Sequence, residues 1–286
     1  MNHSGIPWRR PGDNARNRQR NKWLALLPGF AISSWFLGPV LLRNLLVAMA
    51  AGYLFASLTR LLRGQPLRAV YSDMGVPTNA VLLALLIPPE VPLWLPVVAM
   101  AFASGLVSPV FGGTNQALLH PAMSGYLLVL LAFPERLGGS LPAVDPTLLS
   151  HLWINSGFLL GGLYLLQQRI IRWHIPASLL ATVLIMSWLE GGLASDPLAL
   201  LQVPFTGLVM LTAFFIATDF GSAAITPRGR LLYGTLLGIL LASTPPGATS
   251  VAVAVVIVNF CAPLLDQLCR PRIYGHKPDT GHEELL

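Results

Sequence analysis

The chain has 286 residues, of which 54% are hydrophobic and only 10% charged, and its formal net charge is +6. Too few charged residues are present to cover the surface of a water-soluble protein of this length. The composition therefore excludes a water-soluble protein and predicts one that lies in the lipid bilayer. The cations are spread over connections between apolar segments, which is typical of membrane topology, and nucleic acid is therefore not expected as a partner.

In chain order, residues 1–22 are predicted to be a basic, disordered N-terminus, residues 23–268 a transmembrane domain, and residues 269–286 a tail. Since a span needs roughly 20 residues, the domain has room for about ten helices. The apolar segments that predict them are residues 23–36, 40–58, 76–87, 93–106, 121–133, 148–166, 175–188, 204–217, 231–243 and 248–268. The sequence thus predicts an all-α polytopic membrane protein.

The basic residues divide unevenly between the two faces that alternating spans define. Of the 18 Lys and Arg residues, all but Arg43 and Arg136 fall in the N-terminus, the tail or the connections of one face. Basic connections stay on the cytoplasmic side of membrane proteins. The pattern predicts that both termini are cytoplasmic.

Two short segments open with similar residues and suggest an internal repeat. Val76-Pro77-Thr78-Asn79 opens the third segment, and Val203-Pro204-Phe205-Thr206 opens the eighth. Spans interrupted by proline are tolerated only where their backbone is covered by protein or lines a cavity. A first half of five spans that begins on the inner side, followed by a second half of five that begins on the outer side, is an inverted 5+5 repeat. The halves lie at about 23–133 and 148–268.

Polar residues near these segments are candidates for an ion path: Thr78, Asn79, Thr206, Thr218 and Asp219. Polar groups at membrane depth are costly unless they are paired or face a cavity. Asp219 could attract Na⁺ or take part in a proton path, or it could simply pair with Arg228 or Arg230 in the same connection. The other polar groups could line a cavity or merely hydrogen-bond to neighbouring helices.

Three stretches of the chain resemble one known family. They are Val110-Phe111-Gly112-Gly113-Thr114-Asn115-Gln116 with His120-Pro121-Ala122-Met123, Ala213-Phe214-Phe215-Ile216-Ala217-Thr218-Asp219 with Thr226-Pro227-Arg228-Gly229-Arg230, and Arg270-Pro271-Arg272-Ile273-Tyr274-Gly275-His276. By these motifs the chain resembles the RnfD protein of Rnf electron-transport complexes and NqrB, its counterpart in the sodium-pumping NADH:quinone reductase. The resemblance implies a urea-transporter-like fold of ten helices in the bacterial inner membrane, with other membrane and redox subunits as partners.

The resemblance also implies FMN attached covalently to a threonine in a long outer connection between the fifth and sixth helices. Here that connection is reduced to about residues 134–147, with Ser140 and Thr147 but no Ala-Thr motif. Gly247-Ala248-Thr249 imitates the motif but lies just before the tenth segment. Covalent FMN is therefore not expected in this chain.

The loop between the fourth and fifth segments is the candidate site for a non-covalent flavin, either riboflavin or FMN. Its residues are Gly112, Gly113, Asn115, Gln116 and His120. Glycine permits positive φ and close backbone approach, so the loop could line a cavity and offer hydrogen-bond donors to a flavin ring or oxygens to a cation. The alternative is an ordinary structural turn.

The chain contains no Walker loop, dinucleotide-binding glycine fingerprint, CxxC pair or metal-spaced His and Cys cluster. No catalytic residue and no metal site are predicted, and partners must supply the electrons. The leading hypothesis is a membrane subunit of an Rnf-like complex that couples electron transfer to ion movement, or serves as its scaffold. The alternatives are a stand-alone channel or transporter for a small solute or cation, and a redox subunit of a dedicated pathway with a non-covalent flavin.

Overall fold

The computed structural model describes residues 15–67, 70, 74–113, 116–137, 148–191 and 197–270, and this part of the chain contains helices and connections but no β-strand. The all-α prediction is confirmed. The helices are α1 (Ala15–Leu37), α2 (Pro39–Leu62), α3 (Gly75–Leu86), α4 (Trp94–Val110), α5 (Pro121–Ala132), α6 (Pro134–Leu137), α7 (Leu148–Gln167), α8 (His174–Gly191), α9 (Pro197–Gln202), α10 (residues 209–216), α11 (Pro227–Ala242) and α12 (Ala248–Leu268).

The helices have the length and composition of a membrane protein. Four of them are long and apolar enough to cross a bilayer: Pro39–Leu62, Leu149–Gln167, His174–Gly191 and Ala248–Leu268. Helical structure covers part of every apolar segment predicted from the sequence. Large apolar side chains such as Trp35 (86% exposed) and Leu131 (73% exposed) cover the outside of the bundle, where lipid rather than water is the solvent.

The first helix starts at Ala15, inside the segment 1–22 that the sequence analysis assigns to a disordered N-terminus. Tertiary contacts hold this extension: Gln19 and Lys22 are buried, and the guanidinium of Arg18 lies 4.9 Å from the ring centre of Phe220. Residues 1–14, the connection 138–147 and the tail 271–286 lie outside the described residues.

Helices α1 and α7 cross closely through small residues. A Cβ atom at Gly161 would overlap the backbone oxygen of Ala25, and one at Gly157 would lie 2.8 Å from the Cα of Gly29. Small residues let the backbones of two helices approach each other closely. In lipid, helices associate through van der Waals packing rather than through the hydrophobic effect. Because residue numbers rise along one helix as they fall along the other, α1 and α7 run antiparallel.

The contacts of α5 and α12 show that these helices are also antiparallel. The Tyr126 side chain hydrogen-bonds to Thr249, whereas the backbone N–H of His120, at the start of α5, lies 3.1 Å from the side-chain oxygen of Asn259. Residue numbers therefore rise along α5 in the direction in which they fall along α12.

Two other pairs run parallel. Gly52 of α2 lies against Met100 and Ser104 of α4, and Gly105 lies against Phe55 further along α2. In the second half of the chain, Gly234 and Gly238 of α11 lie in the same order against Ser178 and Thr182 of α8. The pairs α2–α4 and α8–α11 thus pack in the same way in the two halves.

The start of α1 and the end of α12 lie on one face, which we call the terminal face. Lys22 near the start of α1 pairs with Asp219, and a few residues later the backbone N–H groups of Ile225 and Thr226 donate to Asp266 near the end of α12. The connection between α10 and α11 therefore contacts both chain ends.

Helices α3 and α10 form the centre of the bundle. Every residue of α3 is buried, as are the residues Thr212–Ile216 that complete α10 in a π-helical turn. A helix of 12 residues is too short to cross the bilayer, so its ends must be covered by protein rather than by lipid.

The eighth predicted segment is broken rather than continuous. After α9 the chain makes a 3₁₀ turn at Val203–Phe205 and a left-handed turn at Gly207 (φ 53°) before α10 begins. The amide of buried Asn155 on α7 donates to the carbonyl oxygens of Phe205 (2.8 Å) and Gly207 (3.1 Å). These bonds satisfy backbone groups that the break removes from helical pairing.

We expect Gly161→Ala to destabilise the protein by about 1–3 kcal/mol, because the added methyl group overlaps the backbone of α1 and forces α1 and α7 apart. The midpoint of thermal unfolding in detergent measures this effect. Leu160→Ala on the 63% exposed, lipid-facing side of the same helix is the control and should change the midpoint little. Equal midpoints for Gly161→Ala and the native chain would show a looser crossing.

Candidate functional site

A buried ion pair joins the first helix to the connection that follows α10. The ammonium Nζ of Lys22 lies 2.8 Å from Oδ1 of Asp219, and the two side chains are only 2% and 6% exposed. The alternative prediction that Asp219 pairs with Arg228 or Arg230 is wrong. Arg228 is exposed, and Arg230 donates through Nε to the carbonyl oxygen of Ala224.

One oxygen of Asp219 remains open. Oδ1 accepts from Lys22, but no described group hydrogen-bonds to buried Oδ2. Burial by itself raises the pKa of Asp219, yet the charge and hydrogen bond of Lys22, together with nearby His120 and the backbone N–H of Gly221, outweigh it and hold the pKa below its ordinary value. The site therefore presents a charged carboxylate with an unused acceptor oxygen.

His120 adds a neutral, titratable group beside this pair. It precedes Pro121 at the start of α5, and neither ring nitrogen has a hydrogen-bond partner among the described residues. Burial lowers its pKa to about 4, the carboxylate of Asp219 opposes that change, and Lys22 adds to it. At neutral pH the imidazole is therefore uncharged, with one nitrogen able to donate and the other to accept.

The backbone around His120 is fixed by two polar side chains from the last two helices. The side-chain amide of Asn259 on α12, oriented so that both of its ends are satisfied, accepts from the His120 backbone N–H at 3.1 Å. The same amide lies 2.6 Å from the hydroxyl of Tyr233 on α11. Helices α5, α11 and α12 thus share one buried polar network.

The carboxylate of Asp219 lines a cavity at the terminal face. The cavity has a volume of about 530 Å³ and extends between the start of α1, the connection from α7 to α8, and the start of α11. Thr218 lines it as well, with its hydroxyl donating to the carbonyl oxygen of Phe214 at 2.5 Å, so that its oxygen lone pairs remain available. Thr218 and Asp219 thus line one cavity that reaches the surface.

The predicted flavin loop lies in a different place. Gly112 (φ 90°) and Gly113 (φ 132°) adopt the positive φ that glycine was expected to supply. They line a separate cavity of about 110 Å³ together with Asn79. Gln116 is exposed beside Gly112, and Asn115 lies outside the described residues. His120 lies instead beside the ion pair of Lys22 and Asp219. The structure therefore separates His120 from the glycines.

The three predicted ion-path hydroxyls all bond within their own segments. Like Thr218, which donates to Phe214, Thr78 donates to the carbonyl oxygen of Met74 and Thr206 donates to that of Val203. Such local bonds correspond to the simple structural alternative, and Asn79 lines only the smaller cavity. Of the five predicted residues, Thr218 and Asp219 alone are brought together at the larger cavity.

Two residues at these sites, Lys22 and Asn155, are not among the candidates that the sequence indicates. Lys22 belongs to the polar N-terminal segment, but its position directly before an apolar run is a signal for a buried partner. Asn155 is a polar residue within an apolar segment, which is a signal for an interhelical hydrogen bond. Among the described residues, no group of His, Cys, Asp and Glu could hold a metal ion.

Comparison with known proteins gives one consistent result. The model of the NQR2, RnfD, RnfE family matches residues 2–150 and 147–275. The RnfD protein of the ion-translocating oxidoreductase complex of Aeromonas hydrophila is 33% identical over 88% of this chain and 92% of that protein. The protein of the same name from Aliivibrio salmonicida is 34% identical over 89% and 92%, and that from Citrobacter koseri is 32% identical over 89% and 93%.

We expect Lys22→Met and Asp219→Leu each to lower the free energy of unfolding by about 3–5 kcal/mol, because each leaves one buried charge without its partner. The double variant should be more stable than either single variant, since it removes both charges. Thermal unfolding in detergent measures all three, and Arg228→Met, at an exposed position, is the control. Additive losses in the double variant would contradict a direct pair.

Proposed function

The chain belongs to the NQR2, RnfD, RnfE family, and on this premise we propose that it is the RnfD-like membrane component of an Rnf-type ion-translocating oxidoreductase complex. Its partners are the other membrane and redox subunits of that complex, and its location is the bacterial inner membrane. The sequence has no recognisable motif for a nicotinamide nucleotide or an iron–sulfur cluster, so the electrons come from those partners.

The single observation that supports a role in ion movement is the open carboxylate oxygen of Asp219. Ionisable residues in membrane domains are costly and commonly mark ion or proton paths. Asp219 lines a cavity that reaches the terminal face, and the hydroxyl of Thr218 lies beside it. We propose that the entry of the ion path lies at Thr218 and Asp219, whereas a place for Thr78, Asn79 and Thr206 along the path stays a prediction.

Lys22 gives this entry a control element. Its ammonium lies 2.8 Å from Oδ1 of Asp219, which is the place that a cation binding this oxygen would take. A Na⁺ ion or a proton that binds Oδ1 must therefore compete with Lys22, whereas Oδ2 has no such competitor. Neutral His120, within electrostatic reach of both groups, can accept a proton when the pair separates.

The proposed topology is ten spans in an inverted 5+5 repeat with both termini cytoplasmic, in a urea-transporter-like fold. The helix directions support it: the first helices of the halves, α1 and α7, are antiparallel, and so are the last, α5 and α12. The equivalent pairs α2–α4 and α8–α11 are both parallel, as an inverted repeat requires. The basic residues at the terminal face support its cytoplasmic location.

We propose that the chain carries no covalent FMN. Thr249 lies in the first turn of α12, and its side chain hydrogen-bonds to Tyr126, which suits a helix start rather than an acceptor loop. Non-covalent riboflavin or FMN at the Gly112–Gly113 loop stays a prediction. The cavity there, about 110 Å³, is smaller than the roughly 300–1,000 Å³ of typical ligand sites, so a flavin would need a neighbouring protein of the complex to complete its site.

Reporter fusions test the topology. A fusion after Leu286 should report the cytoplasm, and fusions at Gly139 or Ser195 should report the periplasm, because basic connections are retained inside. A fusion in the basic connection at Gln65 serves as the internal control and should also report the cytoplasm. A periplasmic signal after Leu286 would overturn the proposed orientation.

Purification through an affinity tag on this chain tests the function. We expect flavin- and iron–sulfur-bearing subunits to co-purify, and the reconstituted complex to take up Na⁺ or protons during electron transfer. Lys22→Gln/Asp219→Asn should keep assembly, since the pair is neutralised as a unit, but reduce ion uptake per electron at least about tenfold. Glu190→Gln, at an exposed helix end, is the matched control.

Two other results would contradict the proposal. Solute or cation flux through vesicles that contain this chain alone, without an electron donor, would favour a stand-alone channel or transporter. Bound flavin and electron transfer without ion uptake would favour a dedicated redox subunit. Flavin analysis before and after denaturation separates covalent from non-covalent cofactor in the same preparation.

A further inference from the structure

The cavity at the terminal face is bordered by arginines from three parts of the chain. These are Arg18 of α1, Arg169 and Arg172 of the connection between α7 and α8, and Arg230 of α11. We call this group the basic cleft. Asp219 is the one carboxylate among the described residues that line it, and Lys22 already neutralises that charge. The cleft therefore has a strong excess of positive charge.

Arg230 lacks a partner for part of its guanidinium group. Its Nε donates to the carbonyl oxygen of Ala224 at 3.0 Å, but buried Nη1 has no hydrogen-bond partner among the described groups. The nearby acid Asp266 is committed elsewhere, because it accepts from Ile225 and Thr226. A buried donor left unpaired is costly, so an acceptor from outside the described chain is expected at this position.

Like charges face each other in the cleft. The charge of Arg172 acts on Arg230 and opposes its positive charge. Two cations held together in this way are stabilised by an anion that contacts both, and guanidinium groups match the oxygens of a phosphate in particular.

The backbone also supports a specific role for this connection. Arg169 has φ 54°, the left-handed conformation that is unfavourable for a residue with a Cβ, and is the one such non-glycine residue that the structure describes. The backbone N–H groups of Arg169 and Ile170 close the end of α7 on Leu166 and Leu165. This left-handed turn ends α7, and Arg169 and Arg172 of the connection that follows both line the cleft.

The neighbouring residues place the cleft at the level of lipid headgroups. Trp173 follows Arg172, is 59% exposed and stacks on His174 with ring centres 4.3 Å apart. Exposed tryptophans mark the interface between the bilayer and water. Apolar surface for acyl chains lies next to the cleft, where Ile225 is 73% and Leu232 45% exposed.

We propose that the basic cleft binds the phosphate of an anionic phospholipid headgroup, with Arg172 and Arg230 as its principal ligands. The cavity of about 530 Å³ lies in the range of small-ligand sites, and basic pockets between membrane helices are suited to such headgroups. A bound lipid phosphate would also satisfy Nη1 of Arg230. A soluble phosphate offers the same chemistry, but it would not use the adjoining apolar surface.

Titration of the delipidated full-length chain with phosphatidylglycerol, followed by native mass spectrometry, tests this proposal. Arg172→Gln/Arg230→Gln should weaken phosphatidylglycerol binding by about thirtyfold, because each cation near a membrane surface contributes about fivefold. Arg172→Gln alone should weaken phosphatidylglycerol binding by about fivefold. Because the Arg172 side chain is exposed, this substitution should not disturb folding, so weaker binding would not reflect a folding defect. Arg228→Gln removes the same charge from the first turn of α11, outside the cleft, and should bind like the native chain.

Two further ligands identify the source of the phosphate. Phosphatidylcholine with the same acyl chains carries the same phosphate, but the basic cleft repels its cationic choline group, so it should bind more weakly than phosphatidylglycerol and respond less to the arginine substitutions. Equal phosphatidylglycerol binding by the native chain and the double variant would overturn the proposal. Competition by millimolar inorganic phosphate, without arginine-dependent lipid binding, would overturn the lipid source and assign the cleft to a soluble phosphate compound.

Discussion

The ion pair of Lys22 and Asp219 joins the two ends of the fold at one buried point. Each charge is expensive to remove from water, and each is tolerated because the other lies 2.8 Å away. The pair holds the start of α1 against the connection from α10 to α11, and that connection in turn binds the end of α12 through Asp266. The extension of α1 back to Ala15 and the shape of the terminal-face cavity both depend on this contact.

Close helix packing provides the frame in which such a pair can be buried. Lipid tails are as apolar as leucine, so these helices associate through tight contact rather than through exclusion of water. Gly29, Gly157 and Gly161 allow α1 and α7 to cross with their backbones in contact. The same crossing brings Asn155 to the broken segment before α10, where its amide replaces lost helical hydrogen bonds. Helix α7 therefore provides both the close packing against α1 and the hydrogen bonds to the backbone of the broken segment.

Function follows from what this frame leaves unsatisfied. Most buried polar groups in proteins are paired, and those without a hydrogen-bond partner in the described part of this chain include Oδ2 of Asp219, the ring nitrogens of His120 and Nη1 of Arg230, at one end of the bundle. The first two belong to a proposed ion entry, and the third to a proposed lipid site on the same cavity. The two proposed sites therefore share one cavity at the terminal face.

Composition, segment length and motif order determined the class, the helical content and the family of this protein, since bilayer thickness and backbone hydrogen bonding leave few alternatives for so apolar a chain. They also identified Thr218 and Asp219 as candidates, because polar residues at span ends are conspicuous. The partner of Asp219 could not be predicted: Lys22 lies 197 residues away, and only the folded bundle brings them together. For the same reason, tertiary structure alone decided that His120 joins that pair and leaves the Gly112–Gly113 loop.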